Sequence, residues 1–402
     1  MGRATLEVAD IFRRHGPAYR AQNRLLPHQH RLMRAIERCR TAALGGHKEQ
    51  CGHCHHQRIR YHSCRNRHCP KCQNLARAKW LERRKAELLP IPYFHVVFTI
   101  PSELNGLALQ NQKVVYDLMF QATAAALQSI TRDPKHLGAD IGFFSVLHTW
   151  GQNLSLHPHI HSVVTGGGLS FDRTRWIFSR RPDFLVSVRV LGRRFRTLLL
   201  DALLLAFKDG QLQFHASQEP LRDPVKFGRL LSALSQIDWV VHAKPPFGGP
   251  QQVLEYLGRY THRVAISNQR LLAFDGERVT FQYKDYRRSG QQRSKQMTLD
   301  ANEFIRRFLL HSLLPGFQRI RHYGILASSQ KGTLLPLARQ RLGAALHPIL
   351  PSRDQLAQMA VLLAIVQPLQ LCPVCRIGTM RVIEYLFPVP ELPSRLKIDD
   401  TS

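Results

Sequence analysis

Two cysteine pairs with the spacing of metal knuckles, Cys51-x-x-Cys54 and Cys69-x-x-Cys72, stand 14 residues apart near the start of the chain. Four thiolates so placed suit tetrahedral Zn²⁺ with no open coordination position. Such an ion is structural, because it folds a small unit that has little apolar core of its own. The surroundings are Arg, His and Gln, which argues against reduced cysteines packed in a core. Cys64, His53, His55 and His68 lie within reach of the same ion, so the ligand set stays open at this level. A third pair, Cys372-x-x-Cys375, is half a site. It needs ligands from elsewhere in the chain or from a second copy, or it binds nothing. In a reducing compartment these spacings read as metal ligation and not as a disulfide framework.

Charge narrows the partner. Lys and Arg total 57 against 28 Asp and Glu, a formal charge of +29 over 402 residues. Each phosphate contact releases condensed counterions, so a surplus of this size favours nucleic acid. Arg58, Arg60, Arg65, Arg67 and Lys71 give the cysteine-rich unit a phosphate-facing side. A membrane surface is the rival polyanion, yet no apolar run reaches the ~18 residues of a spanning helix. The longest, Leu198 to Phe207 and Met359 to Val366, have the length of core helices. Asp10, Arg13 and Arg14 stand where a signal peptide would be apolar, so a cytoplasmic location is expected.

The pattern predicts three regions. Residues 1–88 hold two helical stretches (Leu6 to Gln22, Pro27 to Leu44), the cysteine unit and a basic helix ending at Pro90. Residues 89–330 mix strands and helices. Tyr93 to Ile100, Phe143 to Gly151, His159 to Thr165 and Asp238 to Ala243 read as strands, the third ending at Gly166–Gly168. Asn111 to Ile130, Val190 to Lys208 and Asn302 to Ser312 read as helices, and Leu271 to Tyr283 as a hairpin about Asp275–Gly276. Residues 331–402 form a helical tail carrying the last cysteine pair.

The segment Leu156–His157–Pro158–His159–Ile160–His161–Ser162 carries most of the chemistry. In a strand, residues two apart share a face, so His159 and His161 point one way and Ile160 points to the core. Two imidazoles at that spacing can hold one divalent ion with positions open for a phosphate oxygen, and Lewis-acid polarisation is the natural task. Gln152, on the preceding turn, and His157, on the same face, are the candidates for a third ligand.

Pro250 opens a predicted helix, Val253 to Arg263, that places Tyr256 and Tyr260 four apart on one face. Arg259, His262 and Arg263 crowd the same turn, which suits a phosphate pocket better than an apolar one. His262 can orient a tyrosine or contact DNA.

A hydrophobic residue between two strand histidines, followed by a tyrosine helix, resembles the HUH single-strand endonucleases. More narrowly, the chain resembles the two-tyrosine rolling-circle transposases of the insertion sequence ninety-one family. The segments that carry the likeness are SCRNRHCPKCQ (63–73), HPHIHSVVTGGG (157–168), AKPPFGGPQQVLEYLGRYTHRVAIS (243–267) and FQRIRHYGILA (317–327).

This resemblance implies an α+β fold: a central antiparallel sheet flanked by helices, with an N-terminal zinc-binding unit. It implies that His159 and His161 hold Mg²⁺ or Mn²⁺ against a scissile phosphate of single-stranded DNA. Tyr256 or Tyr260 would attack, leaving a 5′-phosphotyrosine and a free 3′-hydroxyl. Such an adduct stores the phosphodiester energy, so rejoining needs no ATP, in keeping with the absence of a GxxxxGK[ST] loop. A plasmid replication initiator or relaxase would share the chemistry, but the zinc unit and segment 243–267 favour the transposase. A non-enzymatic zinc-dependent DNA-binding protein would leave the histidine strand and the tyrosine helix unexplained.

Overall fold

The computed structural model describes residues 6–72, 80–82, 84, 86–181, 185–244, 265–285, 294–343 and 371–389. The chain divides into two compact units, residues 1–73 with 347–402, and residues 74–346. The first unit is therefore discontinuous in sequence, and the second is inserted into it.

The first unit opens with helices Val8–Gln22 and Pro27–Arg38. Val8, Ile11, Phe12 and Tyr19 recur at helical spacing and are buried, as are Leu32, Met33 and Ile36 of the second helix. The Asp10 carboxylate accepts from the Glu7 N–H (2.9 Å) and closes the first helix start. Strand β1 (Gly46–Cys51) then pairs antiparallel with β2 (Gln57–Tyr61) on one side and with β12 (Met380–Leu386) on the other. The expectation of a helical tail thus needs amending, since its described end is a strand in the sheet of the first unit. The period-2 pattern there is masked by apolar residues on both faces, with Val382, Ile383 and Tyr385 all exposed.

In the second unit, β3 (Tyr93–Thr99), β4 (Asp140–Trp150), β5 (Leu156–Leu169), β7 (Val241–Lys244) and β11 (Ile320–Gly324) form an antiparallel sheet in the order β11-β4-β5-β3-β7. The short β6 (Trp176–Phe178) pairs with the far end of β5. One face is covered by helices Gln112–Arg132 and Val188–Lys208. Phe94, Val96 and Phe98 of β3, Phe143 and Leu147 of β4, and Ile160 and Val164 of β5 meet Tyr116, Phe120, Leu127, Phe195 and Leu199 there. Each such side chain contributes about 1.5–3 kcal/mol on burial. The opposite face is apolar at one end, where Tyr93, Phe144, Val146 and Val163 meet Trp176 and Ile325. At the other end it is histidine-rich.

Strand β5 does not stop at the glycines but continues through them to Leu169. The reason is close backbone approach. A Cβ on Gly168 would lie 2.4 Å from the Asp140 carbonyl oxygen, so only glycine lets β4 and β5 pair there. A second sheet, β10-β9-β8, is built from β8 (Leu271–Phe274), β9 (Arg278–Lys284) and β10 (Ser294–Asp300). It turns at Asp275–Gly276 as expected, with Gly276 at φ +105°. The helix Ala301–Leu310 packs on it through Phe304 against Phe281. Antiparallel sheets flanked by helices make this an α+β fold.

Candidate functional site

Register, more than proximity along the chain, assembles the histidine cluster. His148 of β4 lies directly opposite His159 of β5, and Thr99 of β3 flanks His159 on the other side. His161 lies between Val146 and Val97 one pair further on, and His95 opposes Val163. Cross-strand partners share a face, so His95, His148, His159 and His161 all look away from the helices. Ile160 looks into them and is fully buried.

One ligand nitrogen from each of His148, His159 and His161 lies within 4.8 Å of the others. His148 and His161 are buried and His159 is half-buried. The third imidazole is thus His148, which the sequence reading passed over. Nothing local in FFSVLHTWG distinguishes that histidine; only the pairing with His159 does. His157 is exposed and contributes its carbonyl instead, which accepts from His159 Nδ1 at 2.6 Å. Gln152 sits in the turn between β4 and β5, where its carbonyl accepts from Arg270 Nη2. The turn is further held by Arg307 Nη1, which donates to the Asn153 carbonyl at 3.3 Å.

The supporting hydrogen bonds decide which nitrogen of each ring carries the proton. A carbonyl can only accept, so the proton of His159 is on Nδ1 and its lone pair is on Nε2. His161 Nδ1 lies 2.8 Å from His95 Nε2, the two rings stacked at 5.0 Å. With the proton on His161 Nδ1, donated to His95, the lone pair of His161 is on Nε2. Burial, with smaller contributions from Lys244 and His159, pushes the His95 pKa down to about 3, so that ring stays neutral and able to accept. Trp150 stacks on His148 at 4.7 Å and closes one side. Three imidazole donors, partly shielded from water, fit a divalent ion with coordination positions left over.

Farther along the same wall, His311 is fully buried. Its Nε2 donates to the Leu154 carbonyl (3.1 Å), and its Nδ1 meets Thr149 Oγ1 (3.2 Å). Burial pushes its pKa down to about 4.

Tyr256, Tyr260, Arg259, His262 and Arg263 lie outside the described residues. The strand that leads to them is described: β7 pairs with β3 so that Lys244 opposes His95 and His242 opposes Val97, on the histidine face.

The cysteines group differently from their order in sequence. The expected single site of Cys51, Cys54, Cys69 and Cys72 does not form. Cys69 and Cys72 join Cys39 and Cys64, and Cys51 and Cys54 join Cys372 and Cys375. The cause is the pairing of β12 with β1, which delivers the C-terminal pair, while Cys39, at the end of the second helix, supplies a ligand outside any CxxC spacing. In the first group Cys39 Sγ lies 3.5 Å from Cys72 Sγ, and Cys64 Sγ 3.6 Å from Cys72 Sγ. These clusters suit structural Zn²⁺. Nearby, Arg65 is exposed and Arg67 half-buried. Lys71 is not free for a phosphate, because its ammonium pairs with Glu7 at 2.6 Å and is nearly buried.

Comparisons with known proteins identify the family. A family described as putative transposase matches residues 142–333, and one described as transposase zinc-binding domain matches residues 11–100. A putative transposase, y4qJ, of Sinorhizobium fredii (strain NBRC 101917 / NGR234) is 52% identical over 393 residues, 96% of each chain. The transposase for insertion sequence element IS801 of Pseudomonas savastanoi pv. phaseolicola is 30% identical over 314 residues, 76% of this chain and 72% of that one. No solved structure matches the chain at a significant level. Among the described residues no helix is long and apolar enough to cross a membrane.

Proposed function

This chain belongs to the insertion sequence ninety-one family of transposases, enzymes that act on DNA, and from that premise we propose that it nicks and rejoins single-stranded DNA through a tyrosine. The observation that carries the proposal is the convergence of His148, His159 and His161 on one patch of the central sheet. Mg²⁺ or Mn²⁺ held by these three residues would polarise the scissile phosphate as a Lewis acid.

The rest of the chemistry falls to the chain's own groups. The His157 carbonyl anchors the His159 ring and His95 anchors the His161 ring, each through Nδ1. The phenolic oxygen of Tyr256 or Tyr260 loses its proton and attacks phosphorus. An O–P bond forms, the P–O3′ bond breaks, and the departing oxygen takes up a proton as a 3′-hydroxyl. The 5′-phosphotyrosine that results conserves the phosphodiester, so the reverse attack by a 3′-hydroxyl rejoins DNA without ATP. The reach is adequate. Lys244 stands opposite His95, and the 12 residues from there to Tyr256 (256 − 244) can span up to about 40 Å. Arg259, Arg263 and His262 would steady the phosphate, and Arg65 and Arg67 of the zinc unit would grip the element's end. The site of action is the bacterial cytoplasm.

The test is a labelled single-stranded oligonucleotide bearing an element end, incubated with the protein and Mg²⁺ or Mn²⁺. A denaturant-resistant adduct that vanishes with chelator and in Y256F/Y260F is expected. An adduct that survives the double substitution, or none from the unaltered chain, overturns the proposal.

A further inference from the structure

The zinc-binding family match ends at residue 100, yet one cysteine cluster draws half its members from the far end of the chain. We propose that Cys51, Cys54, Cys372 and Cys375 bind a second Zn²⁺, separate from that of Cys39, Cys64, Cys69 and Cys72, and that this ion clasps the C-terminal strand onto the N-terminal unit.

The distances fit. Cys54 Sγ lies 3.5 Å from Cys372 Sγ, and Cys51 Sγ lies 3.7 Å from Cys375 Sγ, with all four sulfurs within 4.8 Å. A tetrahedron with Zn–S of about 2.3 Å has edges of about 3.8 Å. A disulfide needs S–S of about 2.05 Å, which no pair approaches. Four sulfurs with no nitrogen or oxygen donor select zinc or iron, and a closed tetrahedral set is the structural zinc arrangement.

The two halves also repeat one local geometry, although they come from unrelated stretches of sequence. The sulfur of the first cysteine accepts from the N–H two residues on: His53 to Cys51 Sγ at 3.4 Å, and Val374 to Cys372 Sγ at 3.4 Å. The carbonyl of the first cysteine accepts from the residue after the second: His55 to Cys51 at 3.2 Å, and Arg376 to Cys372 at 2.9 Å. Both of those residues adopt the left-handed conformation, His55 at φ 57° and Arg376 at φ 58°. A non-glycine residue rarely takes that conformation without a reason. Here it turns each loop so that its N–H groups meet its own cysteine sulfurs and both its thiols converge with those of the other loop.

The loops are fitted to one another. A Cβ on Gly378 would lie 2.5 Å from Cys51 Sγ and 2.6 Å from His53 Cβ, so the C-terminal loop seats on the N-terminal one only with glycine at that position. The Gly52 N–H donates to the Thr379 carbonyl at 3.0 Å, and the β1–β12 ladder begins at Cys51 opposite Met380. Cys54 is exposed and Cys375 half-exposed. Water-accessible thiols in this arrangement gain nothing from burial, so a metal is the physical reason for their convergence. The zinc-binding unit of this chain is then discontinuous, its last strand arriving more than 300 residues after its first cysteine pair.

The full-length H159A/H161A protein, in which the imidazole cluster is emptied, loaded with Zn²⁺ and freed of excess by gel filtration, should carry two zinc ions per chain by mass spectrometry under native conditions. Adding C372S/C375S to that background should leave one, with faster amide exchange across residues 380–386. In the unaltered chain Cys54 and Cys375 should resist iodoacetamide until a chelator is added, a reading that needs no variant to fold. One ion per chain in the H159A/H161A background overturns the proposal. So do two ions retained when C372S/C375S is added to it, prompt alkylation of Cys54 and Cys375 without chelator, or iron in place of zinc.

Discussion

Replacing His95 by alanine probes how the histidine face is organised, because His95 touches the proposed ligand His161 without being in the proposed set. It removes the acceptor 2.8 Å from His161 Nδ1. Without that partner the His161 proton can move to Nε2 and block the outward lone pair, and the ring gains rotational freedom. Losing a supporting partner of a metal-bound histidine lowers affinity about 10- to 100-fold, or about 1.4–2.7 kcal/mol. The loss should not exceed this, since His159 keeps its own anchor in the His157 carbonyl at 2.6 Å. Titration calorimetry with Mn²⁺ reads the affinity directly, and urea unfolding reads the separate cost of emptying a buried position, about 0.5–3 kcal/mol. H95Q restores an acceptor near the position of Nε2 and should recover most of the affinity. A folded H95A protein that binds Mn²⁺ as tightly as the unaltered chain refutes the tautomer argument.

Three further outcomes follow from the same geometry. H148A should weaken Mn²⁺ binding by more than the roughly 100-fold ceiling of a supporting residue, whereas H157A, which keeps the backbone carbonyl, should leave it nearly unchanged; the reverse order in a parallel titration would return His157 to the ligand set. I160A empties a fully buried position between His159 and His161 and should cost about 2–5 kcal/mol in urea unfolding, so a loss below about 1 kcal/mol would contradict the assigned face. His311 has its pKa pushed down to about 4 from 6.5 by burial. The unfolded chain therefore takes up that proton first as pH falls, and stability is lost between pH 6.5 and 4 by about 3 kcal/mol. H311Q should lose less than the unaltered chain over that interval, and identical pH profiles of the urea midpoints would exclude His311 as a cause.

The histidine strand was legible in the sequence because period-2 alternation is local: Ile160 on one face and His159 and His161 on the other needed no knowledge of neighbours. His148 was illegible for the opposite reason. Its place beside His159 is set by the β4–β5 register, and its flanks, Leu147 and Thr149, are buried like most of that strand. The cysteines failed in the same way. Adjacent CxxC pairs invited a single site, but β12 pairs with β1 across almost the whole chain, and Cys39 carries no spacing signal. The glycines 166–168 read as a stop, yet they permit close strand pairing, which a sequence pattern cannot separate from a turn.

Mass spectrometry of the peptides recovered after reaction with single-stranded element ends tests the central claim most directly. A nucleotide covalently carried on Tyr256 or Tyr260, formed only with divalent metal and lost in H159A and H161A, is the predicted result. Modification of a different residue, or of these tyrosines without any need for the three imidazoles, would contradict it.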